Sequence, residues 1–131
     1  MMNFLNPLPP ITIGDEDYDR LLPLAEALEG VQPALGGMLL DELERAEVQP
    51  QAQLGRQVAA MHRPLLFGYG DQRQAQSGML VYPAEADIAL GRISIATPVG
   101  AALIGLAEGQ SIAWRGADGE ERRLTLHKVL G

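Results

Sequence analysis

Residues 92–106 read RISIATPVGAALIGL and contain the strongest local signals in the chain. The alternating isoleucines at the start of this stretch predict a strand over Arg92–Ala96 with one buried face. Thr97 is a good helix N-cap, and proline suits the first helical position, where its missing N–H costs nothing. The stretch therefore predicts a strand that turns directly into a short helix over Pro98–Leu103, which Gly105 closes.

The same stretch resembles the signature of the C-terminal domain of the bacterial Gre transcript-cleavage factors. It is closer still to the regulator of nucleoside diphosphate kinase (Rnk) family, which shares that domain. Further matches lie in the same order as in the family: D-E-L-E-R-A at 41–46, L-V-Y-P-A at 80–84, E-A-D-I at 85–88 and G-Q-S-I-A-W at 109–114. Gln110 stands where the family has Asp. On these motifs the chain is identified as a member of the Rnk family in the Gre superfamily.

The resemblance implies an α+β fold in two parts. Residues 1–50 would form an N-terminal arm and a short, antiparallel, coiled-coil helical hairpin. Residues 51–131 would form an FKBP-like C-terminal domain, which is a twisted antiparallel sheet with one helix.

The resemblance also implies a partner and a docking site. Gre factors dock on the rim of the secondary channel of RNA polymerase, against the β′ subunit, through the corner that corresponds here to Ala96, Thr97, Pro98 and Val99. The implied function is a regulator of transcription that is not an enzyme, needs no cofactor and competes with Gre-type factors. A helix start at this corner would also offer free backbone N–H groups to the partner.

A Gre-type cleavage factor is the first alternative. Gre factors hold two acidic residues at the tip of a long coiled coil and help to bind a second Mg²⁺ in the polymerase, because a hard cation prefers oxygen ligands. The predicted tip covers residues 28–34, and the acids near it are Glu26 and Glu29. These acids share a helix face but do not reproduce the D-x-x-E arrangement of the Gre loop. We therefore expect no stimulation of cleavage and no metal site.

An FKBP-like prolyl isomerase or chaperone is the second alternative. Such proteins use a pocket lined by aromatic side chains, whereas this chain has one Trp, three Tyr and two Phe. Trp114 and Tyr82 are therefore expected at core or half-buried strand positions. His62 and His127 belong to no cluster with metal-ligand spacing, and no serine lies in a nucleophile motif.

The first fifty residues carry the helical pattern. Apolar side chains recur at three- and four-residue steps over 15–30 and again over 33–46, which predicts two helices of about 20 Å. Pro23 lies inside the first pattern and is expected to kink or break that helix. Asp41 and Arg45 are four residues apart and are expected to pair. The apolar stripes could be buried within the chain or form a weak homodimer.

The remaining segments predict strands and turns. Ile11–Ile13 could add a short strand, and residues 48–55 are typical of a linker. Turns are predicted at Gly70-Asp71 and over 117–119. The candidate strands are Gln57–Met61, Leu65–Tyr69, Gln76–Tyr82, Arg92–Ala96, Ser111–Arg115 and Arg122–Leu130.

Charge is unevenly distributed along the chain, whose formal net charge is −7. Residues 1–50 hold ten acids and two bases, while residues 51–131 hold seven acids and eight bases. This balance argues against specific nucleic-acid binding, which needs a basic footprint, and suits either a solvated pair of helices or contact with a basic protein surface. The absence of cysteine, of a signal-peptide pattern and of a long apolar run indicates a cytoplasmic protein without membrane contact.

Overall fold

The computed structural model describes residues 2–70 and 74–131. Its helices are α1 (Asp15–Val31), α2 (Pro33–Arg45) and α3 (Pro98–Leu103). Its strands are β1 (Asn3–Leu5), β2 (Thr12–Gly14), β3 (Glu47–Gln49), β4 (Pro64–Tyr69), β5 (Gln76–Val81), β6 (Arg92–Ser94), β7 (Ser111–Arg115) and β8 (Glu121–Val129). Short 3₁₀ turns cover Gln51–Gln53, Pro83–Glu85 and Ile88–Leu90.

The strands form one large sheet and one small one, which confirms the mixed α+β class. The large sheet has the order β1-β7-β8-β4-β5-β6, and its pairs are antiparallel except for β5 with β6. The small sheet pairs β2 with β3 in parallel. The hairpin between β7 and β8 turns at the predicted 117–119, where Gly119 has a φ of 81° that suits glycine.

Some predicted strands need correction. The segment Gln57–Met61 forms no strand within the described residues; its Val58 makes only an isolated bridge to Ala107. Strand β1 was not predicted, because its three residues carry no alternating pattern, yet it pairs with β7 at the edge of the large sheet. In the predicted turn at Gly70-Asp71, Gly70 has a φ of 65°, while Asp71 lies outside the described residues.

Helix α1 is longer than predicted and runs without a break through Pro23. Because proline has no N–H, the carbonyl one turn earlier in the helix receives no hydrogen bond from it. The proline side chain is exposed, so this carbonyl can bind water instead. Gln32 is the single residue between α1 and α2: its N–H donates to Leu28 O at 2.7 Å, and its carbonyl accepts from Gly36 at 2.9 Å. The connection lies within the predicted tip at 28–34, and it consists of Gln32 alone, because α1 ends at Val31 and α2 begins at Pro33.

The two helices touch closely at Gly36, which gives a sharp test of the hairpin. A Cβ on Gly36 would lie 2.3 Å from the backbone nitrogen of Glu29, whereas a Cβ on its neighbour Gly37 would meet nothing within 4 Å. We expect Gly36→Ala to lower the free energy of unfolding by about 1–3 kcal/mol, because the helices must separate.

The matched control is Gly37→Ala in the same helix. It should raise the free energy of unfolding by about 0.5–1 kcal/mol through helix propensity alone. Urea denaturation of both variants measures the difference. Equal stabilisation by the two alanines would contradict the close helix contact.

The helical hairpin shares one hydrophobic core with the sheet. Buried side chains of α1 and α2 join those of α3 and the large sheet in that cluster, and α2 packs against α3 and β1. The members from α1 and α2 are Leu21, Ala25, Met38, Leu39 and Leu43. The apolar stripe of the hairpin is thus buried within the chain. Within the described residues, no helix has both the length and the apolar character needed to cross a bilayer.

A buried ion pair fastens the N-terminal arm to α2. The carboxylate of Glu42 is fully buried and accepts hydrogen bonds from Arg45 at 2.6 and 2.9 Å. Arg45 also donates to the carbonyl of Pro9 in the arm. The predicted pair of Arg45 with Asp41 is therefore wrong, because Asp41 is exposed and the neighbouring Glu42 faces both Arg45 and the core. Burial raises the pKa of the Glu42 carboxyl despite Arg45.

Candidate functional site

The turn from β6 into α3 is closed by side chains of its own. Thr97 caps the helix as predicted: its hydroxyl accepts from Gly100 N at 3.1 Å and donates to Ser94 O at 2.7 Å. The hydroxyl of Ser94 accepts from Ala96 N at 3.0 Å. These bonds fix the direction of the chain at Pro98, which is the first helical residue.

Gly100 allows α3 to pack very close to the backbone at the end of β6. An added Cβ would lie 2.3 Å from the carbonyl oxygen of Ser94 and 2.9 Å from the Cα of Ile95. Both atoms belong to the backbone, so no side-chain rotation could relieve the contact. The glycine of the signature is thus required by packing.

The helix start does not offer the free donors that the sequence suggested. Pro98 has no N–H, Gly100 N is bonded to the Thr97 hydroxyl, and Ala101 N is bonded to Thr97 O. Only the N–H of Val99 remains in this turn. A partner at this corner would therefore meet side chains, chiefly those of Pro98 and Val99, which are both half-buried.

An open groove of about 550 Å³ begins at this corner. Its described lining comes from several elements and is mostly apolar: Phe67, Tyr69, Gln76, Ala86, Ile88, Arg92, Ile93, Ser94, Thr97, Pro98 and Val99. Three of the four predicted contact residues line the groove, and Ala96 adjoins it in sequence. The groove as a whole could not be predicted from the sequence, because the residues that line it are far apart in the chain.

The aromatic side chains of the groove are not those considered from the sequence. Tyr69 of β4 is half-buried and lines it, Phe67 of β4 borders it from the core at 2% exposure, and Trp114, also 2% exposed, belongs to the core as predicted. Tyr82 is half-buried outside the groove, with the guanidinium of Arg20 4.0 Å from its ring centroid. The groove can hold an apolar group beside the half-buried ring of Tyr69.

The histidines and tip acids do not come together. His62 Nε2 lies 2.9 Å from Glu85 Oε1, a hydrogen bond that lowers the pKa of the Glu85 carboxyl, while His127 lies on β8. Glu26 and Glu29 are exposed. In residues 2–70 and 74–131, no group of three His, Cys, Asp or Glu side chains could hold a metal ion.

Gln110, which replaces the family's acid, has a local role. Its side-chain oxygen accepts from the N–H of Ala107 at 2.8 Å, and this bond closes the turn before β7.

Comparison with known proteins agrees with this architecture. A family model described as transcription elongation factor, GreA/GreB, C-terminal, matches residues 60–130, and a model of the Rnk N-terminus matches residues 9–48. A solved structure of a prokaryotic transcription elongation factor GreA/GreB from Nitrosomonas europaea has a TM-score of 0.72 and 33% identity, covering 95% of this chain and 100% of that chain. The fold and its corner therefore define a GreA/GreB-type domain.

Two relatives narrow the assignment. The regulator of nucleoside diphosphate kinase of Escherichia coli (strain K12) is 34% identical over 111 residues, which are 81% of this chain and 78% of that protein. Transcription elongation factor GreA of Azorhizobium caulinodans is 31% identical over 99 residues, which are 76% of this chain and 63% of that protein. The chain belongs to the Rnk family within the GreA/GreB superfamily.

Proposed function

We propose that this protein is a non-enzymatic regulator of transcription that binds RNA polymerase at the rim of its secondary channel, on the β′ subunit. Docking is through the corner Ala96–Val99, and the bound protein excludes Gre-type factors from the same place. Membership of a family with a GreA/GreB-type domain supports this proposal. The observation that carries it is the open apolar groove at this corner, whose walls include Thr97, Pro98 and Val99.

The corner suits docking because hydrogen bonds hold it in one conformation and its hydroxyl groups already have partners. The hydroxyls of Ser94 and Thr97 are occupied within the turn, so the side chains of Pro98 and Val99 are held in one position. A preorganised apolar edge loses little conformational entropy on binding. In this proposal residues 51–131 provide the docking surface, and the acidic residues of 1–50 face the channel entrance.

The hairpin argues against stimulation of transcript cleavage. Helix α1 has 17 residues and is about 25 Å long. The helix is packed into the core through Leu21 and Ala25, so only the turns after Ala25 project. Gln32 alone connects the helices, which leaves no loop to present two carboxylates to a metal ion. In this proposal the protein therefore occupies the rim of the polymerase's secondary channel but supplies no carboxylates for transcript cleavage.

A competition assay tests the proposal. Core RNA polymerase with a labelled Gre factor is titrated with the wild type, with Pro98→Ala/Val99→Ser, and with Val48→Ser as a control on the small sheet, where Val48 is 44% exposed. We expect displacement by the wild type and the control, and displacement at least about tenfold weaker by the double variant. Thr97 is left in place because loss of its cap would destabilise α3 by about 1 kcal/mol.

Three results would contradict the proposal in whole or in part. Absence of displacement by the wild type would remove secondary-channel competition. Shortening of transcripts in backtracked complexes on addition of the wild type would instead indicate a cleavage factor. Equal displacement by the wild type and the double variant would keep polymerase binding but move the docking site away from the corner.

A further inference from the structure

The first turns of α1 precede the buried part of the helix. The buried side chains of α1 are those of Leu21 and Ala25, whereas residues 15–20 are exposed or half-buried. Burial of apolar surface therefore holds residues 15–20, which we call the α1 start, less firmly than it holds the rest of the helix. Polar contacts with residues 51–131 carry much of the attachment of the α1 start.

Two of these contacts are networks of hydrogen bonds. Asp15 Oδ1 accepts from Gln51 N at 2.9 Å, and Gln51 Oε1 accepts from Asp17 N at 3.0 Å. Asp17 Oδ2 in turn accepts from Met61 N at 3.3 Å. The side-chain oxygen of Gln51 serves as the helix cap, because the N-cap residue Gly14 has no side chain to do so.

A third contact joins the α1 start to the L-V-Y-P-A motif, whose role the docking corner does not explain. The guanidinium of Arg20 lies 4.0 Å from the centroid of the Tyr82 ring. The ring of His62 is 5.7 Å from the same ring, and His62 Nε2 lies 2.9 Å from Glu85 Oε1. Glu85 Oε1 also accepts from Tyr82 N at 3.2 Å. The tyrosine is thus held within its own segment, while the face of its ring receives a cation from α1.

The hydroxyl of Tyr82 weakens this contact. It is buried, yet it has no hydrogen-bond partner anywhere in the described parts of the chain. Burial and then the negative charge of Asp17 raise the pKa of the Tyr82 hydroxyl, with a smaller rise from Glu85 and an opposing effect of Arg20, so the group stays protonated at neutral pH. A buried donor without an acceptor disfavours the closed contact relative to an opened one in which water binds the hydroxyl.

We infer that the α1 start is held by a latch that opens and closes locally against residues 51–131, and that the ring face of Tyr82 closes this latch while the ring hydroxyl weakens it. The members of the latch are Asp15, Asp17, Arg20, Gln51, Met61 and Tyr82. This inference goes beyond the proposed function, because it concerns the attachment of the hairpin and not the docking corner. The first turn of α1 is acidic, so the latch controls where these charges are presented.

Amide hydrogen exchange on the intact chain measures the opening directly. The N–H groups of Asp17, Gln51 and Met61 donate across the latch, so we call them the latch amides. The N–H of Ala59 donates to Leu106 O at 2.8 Å outside the latch and serves as the internal reference. Local opening exposes the latch amides without exposing the reference amide.

Two variants test the two parts of the latch, each with a control on α1. We expect Tyr82→Phe to slow exchange of the latch amides by about threefold or more, because no buried hydroxyl is left without an acceptor. We expect Arg20→Ala to speed their exchange by about threefold, because the ring loses its cation. Tyr18→Phe removes a hydroxyl that has no such defect, and Glu26→Ala changes an exposed side chain; each should alter exchange by less than about twofold.

Three results would overturn the inference. Faster exchange of the latch amides in Tyr82→Phe would show that the hydroxyl stabilises the contact. Unchanged exchange in Arg20→Ala would show that the cation does not close the latch. A change of equal size at the N–H of Ala59 would show a change in global stability in place of local opening.

Discussion

Replacement of Gly100 with alanine is expected to lower the free energy of unfolding by about 3 kcal/mol, because the new Cβ would overlap the backbone at the end of β6. It would lie 2.3 Å from the oxygen of Ser94 and 2.9 Å from the Cα of Ile95. To accept the methyl group, α3 must move away from β6, and this movement breaks the hydrogen bond that the Thr97 hydroxyl donates to Ser94 O. The same variant should lose polymerase binding, since the corner is displaced.

Chemical denaturation measures this effect, with Gly30→Ala as the control. Gly30 also lies in a helix, but a Cβ there meets nothing within 4 Å, so alanine should stabilise by about 0.5–1 kcal/mol. A change of similar sign and size in both variants would show that the corner is not closely packed.

Replacement of Arg45 with methionine is expected to lower the free energy of unfolding by about 3–5 kcal/mol at neutral pH, because it leaves the buried Glu42 carboxylate without its cation. It also removes the donor to Pro9 O in the arm. The effect should depend on pH in a defined direction. Burial already raises the pKa of Glu42, and loss of Arg45 removes the contacts that lower it.

The sign of this pH dependence follows from linkage. A carboxyl whose pKa is raised in the folded state binds a proton more tightly in that state than in the unfolded state. The folded state therefore gains stability as the pH falls from the raised pKa toward the pKa of the unfolded state. The deficit of Arg45→Met should therefore shrink between pH 7 and pH 5, as Glu42 becomes protonated. Denaturation at the two pH values measures this difference.

The control is the double variant Glu42→Leu/Arg45→Met. It removes both charges from the core and should recover most of the loss, because an apolar pair of similar volume needs no desolvation of ions. An equal deficit of Arg45→Met at both pH values, or no recovery in the double variant, would contradict the role of the buried carboxylate.

Features set by adjacent residues could be predicted from the sequence. Helix α3 was found with its observed bounds, because an N-cap, a proline and a closing glycine act within a few residues. The hairpin between β7 and β8 followed in the same way from its turn. Helix α1 was underestimated because Pro23 is exposed, and exposure is a property of the tertiary fold.

The candidate site was only partly predictable, because its residues come from segments that are distant in the sequence. The corner at Thr97 and Pro98 is local, but the groove also needs Phe67 and Tyr69 from β4 and Ile88 from a separate turn. The choice of Glu42 over Asp41 as the partner of Arg45 depended on where Pro9 and the core lie. Such pairings between distant segments leave no periodic signal in one sequence.

The pairing of β1 with β7 has a consequence for how the family can diversify. Strand β1 completes one edge of the large sheet, the opposite edge of which, β6, leads into the proposed docking corner, and Thr12 N donates to Gly105 O at 3.1 Å just beyond α3. A recombinant protein that takes its arm and helical hairpin from one relative and its sheet from another would have a mismatched contact between β1 and β7. A sheet severed from its arm would expose an unpaired strand edge to aggregation. In this chain the N-terminal arm and the sheet depend on each other structurally, so we expect a stable hybrid to take both from the same parent.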